Sequence, residues 1–430
     1  MTALPFGLSL YRVAMAALAG FVPGYLMKRA KAGKEDVKRL DERLGIAGAP
    51  RPEGALIWLH AASVGESLMA LNVARGLLAA RGDLSVLLTS GTVTSANVIA
   101  KQTDGRLLHQ YVPVDTEKAV AGFLDHWRPD VGAFFESELW PNLILAAQAR
   151  GIGLALLNGR MNGASIRNWS RFRGSARHLL GAFEVLQAAD GLTASALADL
   201  SGRDVAETGN LKLAAPPLPI DTAALEKLAK TIGKRPIWLA ASTHDGEEAL
   251  VLDAHASLIL GDRTALLILA PRHPDRALAV QLLIERSGLV SARRSTGSAP
   301  TPATQVWHWD TLGELGLAYK LASVTLVAGS LVPGIGGHNP VEPVQLGSAV
   351  ITGPFTASFD DLMAAFEAGG GARVLAMPSA NALAMAVAGL WGDPEIRAKQ
   401  CAAASHIVAS GKGSLALAVD GVLSLLKAKP

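Results

Sequence analysis

From Ala55 onward, short runs of consecutive apolar residues alternate with longer segments of helical pattern. The runs Ala55 to Leu59, Leu84 to Thr89, Leu107 to Val112, Val131 to Phe135, Gly153 to Leu157 and Val185 to Ala188 have strand length and little in-and-out alternation. Strands of that kind are buried on both faces, as in parallel sheets sandwiched between helices, so this half reads as repeated βαβ units. The stretch Gly209 to Pro219, GNLKLAAPPLP, breaks the pattern with the proline density of a linker. The alternation then restarts with Ile237 to Ala241, Ala265 to Ala270, Gln305 to Trp309, Val324 to Ala328 and Ala349 to Thr352. Two similar α/β halves joined by a linker predict a cleft between them. The expected organisation is a segment 1–50, a domain 51–209, a linker 210–221 and a domain 222–430 whose last helix can pack back on the first domain.

The first residues follow a different pattern. Between Met1 and Met27 the only charged side chain is Arg12, and Val13 to Met27 is apolar or small throughout. Pro23 and Gly24 interrupt this run, which is shorter than the ~20 residues of a comfortable bilayer span. Lys28, Arg29, Lys31, Lys34, Lys38 and Arg39 follow, against Glu35 and Asp36. An apolar run with a basic flank predicts an anchor on the cytoplasmic face of a membrane, its cations toward anionic headgroups. A cleaved signal peptide would carry its basic residues before the apolar run, and a buried helix or hairpin of the first domain is the plain alternative.

Composition narrows the class. At 430 residues the chain exceeds one ordinary core, and 50% apolar with 18% charged residues suits buried sheets rather than disorder. The single cysteine, Cys401, excludes a disulfide framework and a Cys-rich metal site, and a reducing environment is the simple reading. A net charge of +3 gives no global argument for nucleic acid. No Walker A sequence, Gly-x-Ser-x-Gly elbow or zinc-like Cys/His spacing is present, so no metal is called for.

Ligands of open α/β sheets bind at the carboxyl ends of strands, and several such ends carry chemistry. In Trp58 to Glu66, WLHAASVGE, Ser63 and Glu66 have the spacing of a capping box, while Glu66 is also placed to act as a general base. In Phe134 to Asn142, FFESELWPN, Glu136 and Glu138 could position an acceptor or simply compensate a helix dipole. Arg160, Arg167, Arg171, Arg173 and Arg177, with Trp169 and Phe172 among them, suit phosphate or carboxylate recognition, against a solvated basic helix face. In Ala241 to Glu248, ASTHDGEE, the amides offer a phosphate cradle and Glu247 reads as a cap; in Leu269 to Arg276, prolines stiffen a loop holding Arg272 and His273.

The stretch Gly329 to Gly347, GSLVPGIGGHNPVEPVQLG, concentrates the most chemistry. It predicts strand, glycine loop and helix start, with the amides of Gly336 and Gly337 open to a phosphate at the helix N-terminus. His338 and Asn339 add donors, and the acceptor-only Glu342 suits a pair of sugar hydroxyls. An ordinary loop with a capping Asn and a solvated Glu is the alternative.

Taken together, HAASVGE (His60 to Glu66), ESELWPN (Glu136 to Asn142), TGNLK (Thr208 to Lys212), APRHP (Ala270 to Pro274) and GGHNPVEP (Gly336 to Pro343) resemble, in this order, the motifs of the bacterial Kdo transferases. These enzymes add 3-deoxy-D-manno-octulosonic acid (Kdo) to a lipid A precursor. The resemblance implies an α/β protein of glycosyltransferase-B fold, with two Rossmann-like domains facing a central cleft behind an N-terminal membrane-associated helical segment. It implies inverting transfer of Kdo from CMP-Kdo to lipid IVA, without cofactor or metal, at the cytoplasmic side of the inner membrane. By the same resemblance Glu66 is the catalytic base, while Arg272, His273, Gly336, Gly337, Asn339, Glu342 and Lys212 bind the donor. Glu136, Glu138, Arg160, Arg171 and Arg173 then meet the acceptor. Two other readings share these features: a membrane-associated enzyme of the same fold using a UDP-sugar, and a non-catalytic sugar-phosphate binding module in which Glu66 only caps its helix.

Overall fold

A computed structural model describes residues 4–426. The chain forms two compact units, one comprising the chain up to Ala215 together with the segment from Ser410 onward, the other Pro216–Ala409. The first unit contains the strands β1 (Ala55–His60), β2 (Leu84–Ser90), β3 (Leu107–Tyr111), β4 (Val131–Phe135), β5 (Gly153–Gly159), β6 (Val185–Ala188) and β7 (Ala206–Glu207). They pair in the order β3-β2-β1-β4-β5-β6-β7, all parallel. The second unit contains β8 (Ile237–Thr243), β9 (Leu266–Pro271), β10 (Ser291–Arg293), β11 (Val306–His308), β12 (Val324–Val327), β13 (Ala349–Thr352) and β14 (Ala372–Val374). Their order is β10-β11-β9-β8-β12-β13-β14, again parallel.

Both sheets are the doubly wound arrangement that the apolar runs predict. β1, β2, β4 and β5 are almost entirely buried, with helices on both faces. One face of the first sheet is an aromatic core in which Trp58 meets Phe123 at 5.1 Å and Phe134 at 5.0 Å between ring centroids. The three strands that the pattern does not predict, β7, β10 and β14, are edge strands of two or three residues. Half-exposed and short, they carry no apolar run to read.

The chain order reverses between β1 and β4 in the first sheet and between β8 and β12 in the second. At such a switch point the loops leaving the strands diverge and leave a crevice at the carboxyl ends. HAASVGE follows β1, ESELWPN follows β4, ASTHDGEE spans the end of β8 and the Gly329 loop follows β12.

The segments next to the linker depart from expectation. Leu211–Ala214 is a 3-10 turn of the first unit with Leu211 and Leu213 buried, so only the part from Pro216 onward leaves that unit. At the far end, the helix Lys412–Ser424 packs against the helix Val64–Ala80 through Ala418, Val419 and Val422 in one apolar cluster.

The apolar N-terminus is a helical run, Phe6–Lys31, of 26 residues with mean hydropathy 1.4 and 6% of its apolar window buried. Leu8 and Leu26 face the protein, while Phe6, Val13 and Phe21 are 80%, 67% and 75% exposed. The basic flank does not act as a block. Arg29 and Arg43 converge on buried Glu35, at 2.7 and 3.4 Å, and Arg39 pairs with Glu42 at 2.8 Å, so two of the six expected headgroup cations, Arg29 and Arg39, are engaged within the protein. Lys28, Lys31, Lys34 and Lys38 remain exposed.

Two buried polar side chains hold the strand-end loops. Glu247, fully buried at the start of the helix Glu247–Gly261, accepts from the backbone N–H of Gly329 (2.8 Å), Ser330 (3.0 Å), Leu331 (2.9 Å) and His244 (2.9 Å). Asn158, left-handed at φ 52° and fully buried at the end of β5, accepts from Leu211 N–H at 2.8 Å and so fixes the turn that carries Lys212. Replacing one Glu247 oxygen by an amide NH2 in Glu247→Gln sets a donor against backbone donors. Denaturant unfolding of the second unit should show a loss of roughly 1–3 kcal/mol. An unchanged midpoint would show that the clamp contributes nothing.

Candidate functional site

In the first unit the helix Val64–Ala80 begins at Ser63, whose hydroxyl accepts from Glu66 N–H at 3.3 Å. The Glu66 carboxylate answers in kind. Its Oε1 accepts from the Ser63 hydroxyl at 2.7 Å and its Oε2 from Ala62 N–H at 2.9 Å. This is the reciprocal capping that the spacing predicts, with the carboxylate reaching the amide of Ala62, one residue before the N-cap, instead of that of Ser63. Glu66 is also 8% exposed, and burial pushes its pKa above the ordinary glutamate value, with the hydrogen bonds from Ser63 and Ala62 opposing and the charges of Glu136 and Glu138 adding. Capping and basicity therefore pull against each other on one side chain: the cap fixes its position and lowers its pKa, and burial outweighs that lowering.

The ESELWPN turn stands beside it. Glu136 leaves β4 in the left-handed region at φ 54° and pairs with Lys212 at 2.9 Å. Lys212, expected on the donor side, thus engages Glu136, a carboxylate of its own unit expected on the acceptor side. Glu138 accepts from the Trp140 indole at 2.7 Å and lies 3.7 Å from His60 Nε2. Burial raises Glu138, but His60 and Trp140 outweigh it and hold the carboxyl below its ordinary value, so it serves as an anion rather than an acid. Asp115, which no motif marks, is buried beneath this turn and accepts from Asn142 and Leu143 N–H at 3.0 and 2.8 Å.

The arginines divide. Arg171 is exposed at the end of the helix Gly163–Arg171. Arg173 donates to the Asp199 carboxylate and, at 2.9 Å, to its carbonyl, so this member of the expected phosphate patch is already paired. Arg160 is half-buried, and its carbonyl accepts from the Ser137 hydroxyl, joining it to the ESELWPN turn.

In the second unit the Gly329 loop is built differently from the expected anion cradle. The helix after it, Val341–Gln345, is five residues long and has little dipole to offer. Gly337 N–H donates to Gly329 O at 2.8 Å, so that amide is occupied within the loop. What the glycines contribute is backbone freedom. Gly329, Gly336 and Gly337 have φ of 72°, 92° and 80°, and a Cβ on Gly329 would lie 2.9 Å from the His338 ring. Asn339 caps the short helix by accepting from Val341 N–H at 3.0 Å and donates to Glu342 at 3.3 Å. Glu342 also receives the buried Tyr319 hydroxyl at 3.5 Å, a partner 23 residues away that no local spacing reveals. Burial raises the Glu342 pKa, against Asn339, Arg272 and Tyr319, and burial with the Glu342 charge pushes the Tyr319 phenol well above its ordinary value.

Arg272 is exposed at the end of β9, its N–H bonded to Thr243 O at 3.0 Å. Around it stand three histidines. His244 and His338 approach at 2.8 Å between Nε2 atoms, so one proton lies between them, and the exposed His273 ring is 5.6 Å from that of His244. Burial drives His338 down to about 4, helped by the His244, Arg272 and His273 charges. Burial also lowers His244, with Glu247 opposing. The neutral pair and Arg272 form a donor-rich surface suited to an anion with hydroxyls. His244 lies in a motif visible in the sequence, but its pairing with His338 spans 94 residues and is not. Among the described residues, no group of three or more His, Cys, Asp or Glu side chains could hold a metal ion.

The chain is similar to known proteins. The family profile of 3-deoxy-D-manno-octulosonic acid transferases (kdotransferases) matches residues 38–215. A probable mitochondrial 3-deoxy-D-manno-octulosonic acid transferase of Arabidopsis thaliana is 33% identical over 395 residues, covering 90% of this chain and 88% of the relative. The 3-deoxy-D-manno-octulosonic acid transferase of Haemophilus influenzae is also 33% identical, over 89% of this chain and 90% of its own. In fold, the chain is similar to UDP-GlcNAc 2-epimerase from Neisseria meningitidis, with a TM-score of 0.56 at 14% identity over 86% of this chain and 100% of that one. That likeness fits two Rossmann-like units of the glycosyltransferase-B type. At 33% identity to such transferases over nine-tenths of its length, the chain belongs to the 3-deoxy-D-manno-octulosonic acid transferase family.

Proposed function

We propose that the protein transfers Kdo from CMP-Kdo to lipid IVA with inversion, at the cytoplasmic face of the inner membrane, with Glu66 as general base. The observation that carries this reading is the buried Glu66 carboxylate, fixed by Ser63 and Ala62 at the β1/β4 switch point and made more basic by burial. Glu66 takes the proton of the attacking acceptor hydroxyl. The freed oxygen bonds to the anomeric carbon as the bond to the CMP phosphate breaks, and CMP leaves with that electron pair. A single displacement of this kind inverts the anomeric centre and needs one base.

The second unit takes the donor. Arg272 with the His244–His338 pair and Gly336 supplies positive charge and donors for the leaving phosphate, and His273 borders them. Glu342, steadied by Asn339 and Tyr319, accepts from the ribose hydroxyls. In the first unit Glu136 with its partner Lys212, Glu138, Arg160 and Arg171 meet the acceptor, whose sugar hydroxyls and phosphates call for both carboxylates and cations. Arg173 contributes only by leaving Asp199. The exposed apolar face of Phe6–Lys31 and the lysines that follow suit an anionic lipid surface.

Incubation of the purified protein with CMP-Kdo and tetraacyl lipid A precursor, with chelator present, should release CMP and raise the lipid mass by one or more Kdo units. An unchanged lipid, or turnover of a UDP-sugar instead, would overturn the reading. Glu66→Gln should lower transfer by about 10²–10⁴-fold. The base must be ionised, so the rate should fall as pH drops through the folded pKa. Because that pKa is raised, the acid limb should have its midpoint above the glutamate value of 4.5. A limb below that value would deny Glu66 the role.

A further inference from the structure

The N-terminal helix makes a hydrogen bond to the acceptor side of the first unit through the Tyr11 hydroxyl. Phe6, Leu10 and Val13 lie on one face at helical spacing and are 80%, 57% and 67% exposed. Tyr11 lies on the opposite side, and its hydroxyl donates to Asp115 Oδ2 at 2.8 Å. That oxygen also accepts from Asn142 N–H at 3.0 Å, while Oδ1 accepts from Leu143 N–H at 2.8 Å. The Asp115 carbonyl accepts from the Asn142 side chain at 2.6 Å. One carboxylate, 4% exposed, therefore caps the helix Pro141–Ala149 and holds the apolar helix at the same time. The residue before the capped helix is Trp140, 42% exposed, whose indole donates to Glu138 at 2.7 Å. Polar contacts thus run from Tyr11 through Asp115 to the first turn of the helix Pro141–Ala149, and the backbone through Pro141 joins that turn to Trp140 and the Glu138 it holds.

From this connection we infer that Tyr11 is a positioning residue for the lipid acceptor, setting the Glu138–Trp140 turn relative to the helix that meets the lipid surface. The inference rests on the proposed acceptor and on that helix lying at the membrane. A fastening role alone would not require Tyr11 to use the same oxygen that caps the acceptor-side helix, since the apolar contacts of Leu8 and Leu26 already seat the run. Losing the phenol leaves Asp115 with its two amide donors. The turn stays folded but is no longer tied to the helix outside it.

The test is Tyr11→Phe in the full-length protein, with lipid precursor presented in vesicles containing anionic phospholipid. The acceptor KM should rise about five- to twenty-fold, the loss of one hydrogen bond to a charged acceptor. The KM for CMP-Kdo and vesicle binding should stay at wild-type values. Asp115→Asn, which disturbs the Asn142 and Leu143 bonds as well, should raise the acceptor KM at least as much, and adding Tyr11→Phe to it should raise it no further, because the Tyr11 bond ends on the same carboxylate. An unchanged acceptor KM in Tyr11→Phe would overturn the inference, as would reduced vesicle binding with no change in acceptor KM, which would make Tyr11 a simple fastener. Absence of Kdo transfer by the wild-type protein would instead defeat the proposed function.

Discussion

Four backbone N–H groups converge on the fully buried carboxylate of Glu247, and the start of the Gly329 loop in the second unit is held in shape by it. A parallel sheet ends in unpaired amides where each chain leaves its strand, and at a switch point the departing loops cannot satisfy one another. A buried acceptor has to do so. The first unit meets the same constraint with three side chains: Glu66 on Ala62, Asp115 on Asn142 and Leu143, and Asn158 on Leu211. Each of these acceptors sits beneath or within a loop that carries candidate chemistry. Scaffold and site are thus the same set of hydrogen bonds seen from two sides.

That economy has a consequence for Glu66. A carboxylate serving only as a cap gains from solvent exposure, which lowers the cost of its charge. Glu66 is instead buried beside Glu136 and Glu138, and the balance leaves its pKa raised. Glu138, two residues from Glu136, goes the other way because His60 and the Trp140 indole stabilise its charge. Environments that push neighbouring carboxylates apart separate a base from a fixed anion. Lys212, paired with Glu136, moderates the negative charge that three glutamates would otherwise gather there.

What could be read from the sequence was local. Continuous apolar runs located the central strands because burial on both faces leaves no polar positions, while β7, β10 and β14 escaped because edge strands of two or three residues have no such run. Glu66 and Glu342 stood out because their motifs place carboxylates beside glycine and a capping residue. Tyr11, Asp115 and Tyr319 did not, since their partners lie 104, 27 and 23 residues away and depend on packing that no spacing encodes. The permissive backbone of the glycine loop is legible in the sequence, but the occupied amide of Gly337 is not, because a Gly337–Gly329 hydrogen bond and a five-residue helix are properties of the folded loop.

The central claim is a division of labour: the base resides in the first unit and the nucleotide is held in the second. Calorimetric titration of CMP into wild-type, Glu66→Gln and Glu342→Gln proteins addresses it directly. The account predicts that Glu66→Gln binds CMP within about two-fold of wild type while Glu342→Gln binds about ten-fold or more weakly. Wild-type affinity in Glu342→Gln, or a loss of CMP binding in Glu66→Gln, would contradict it.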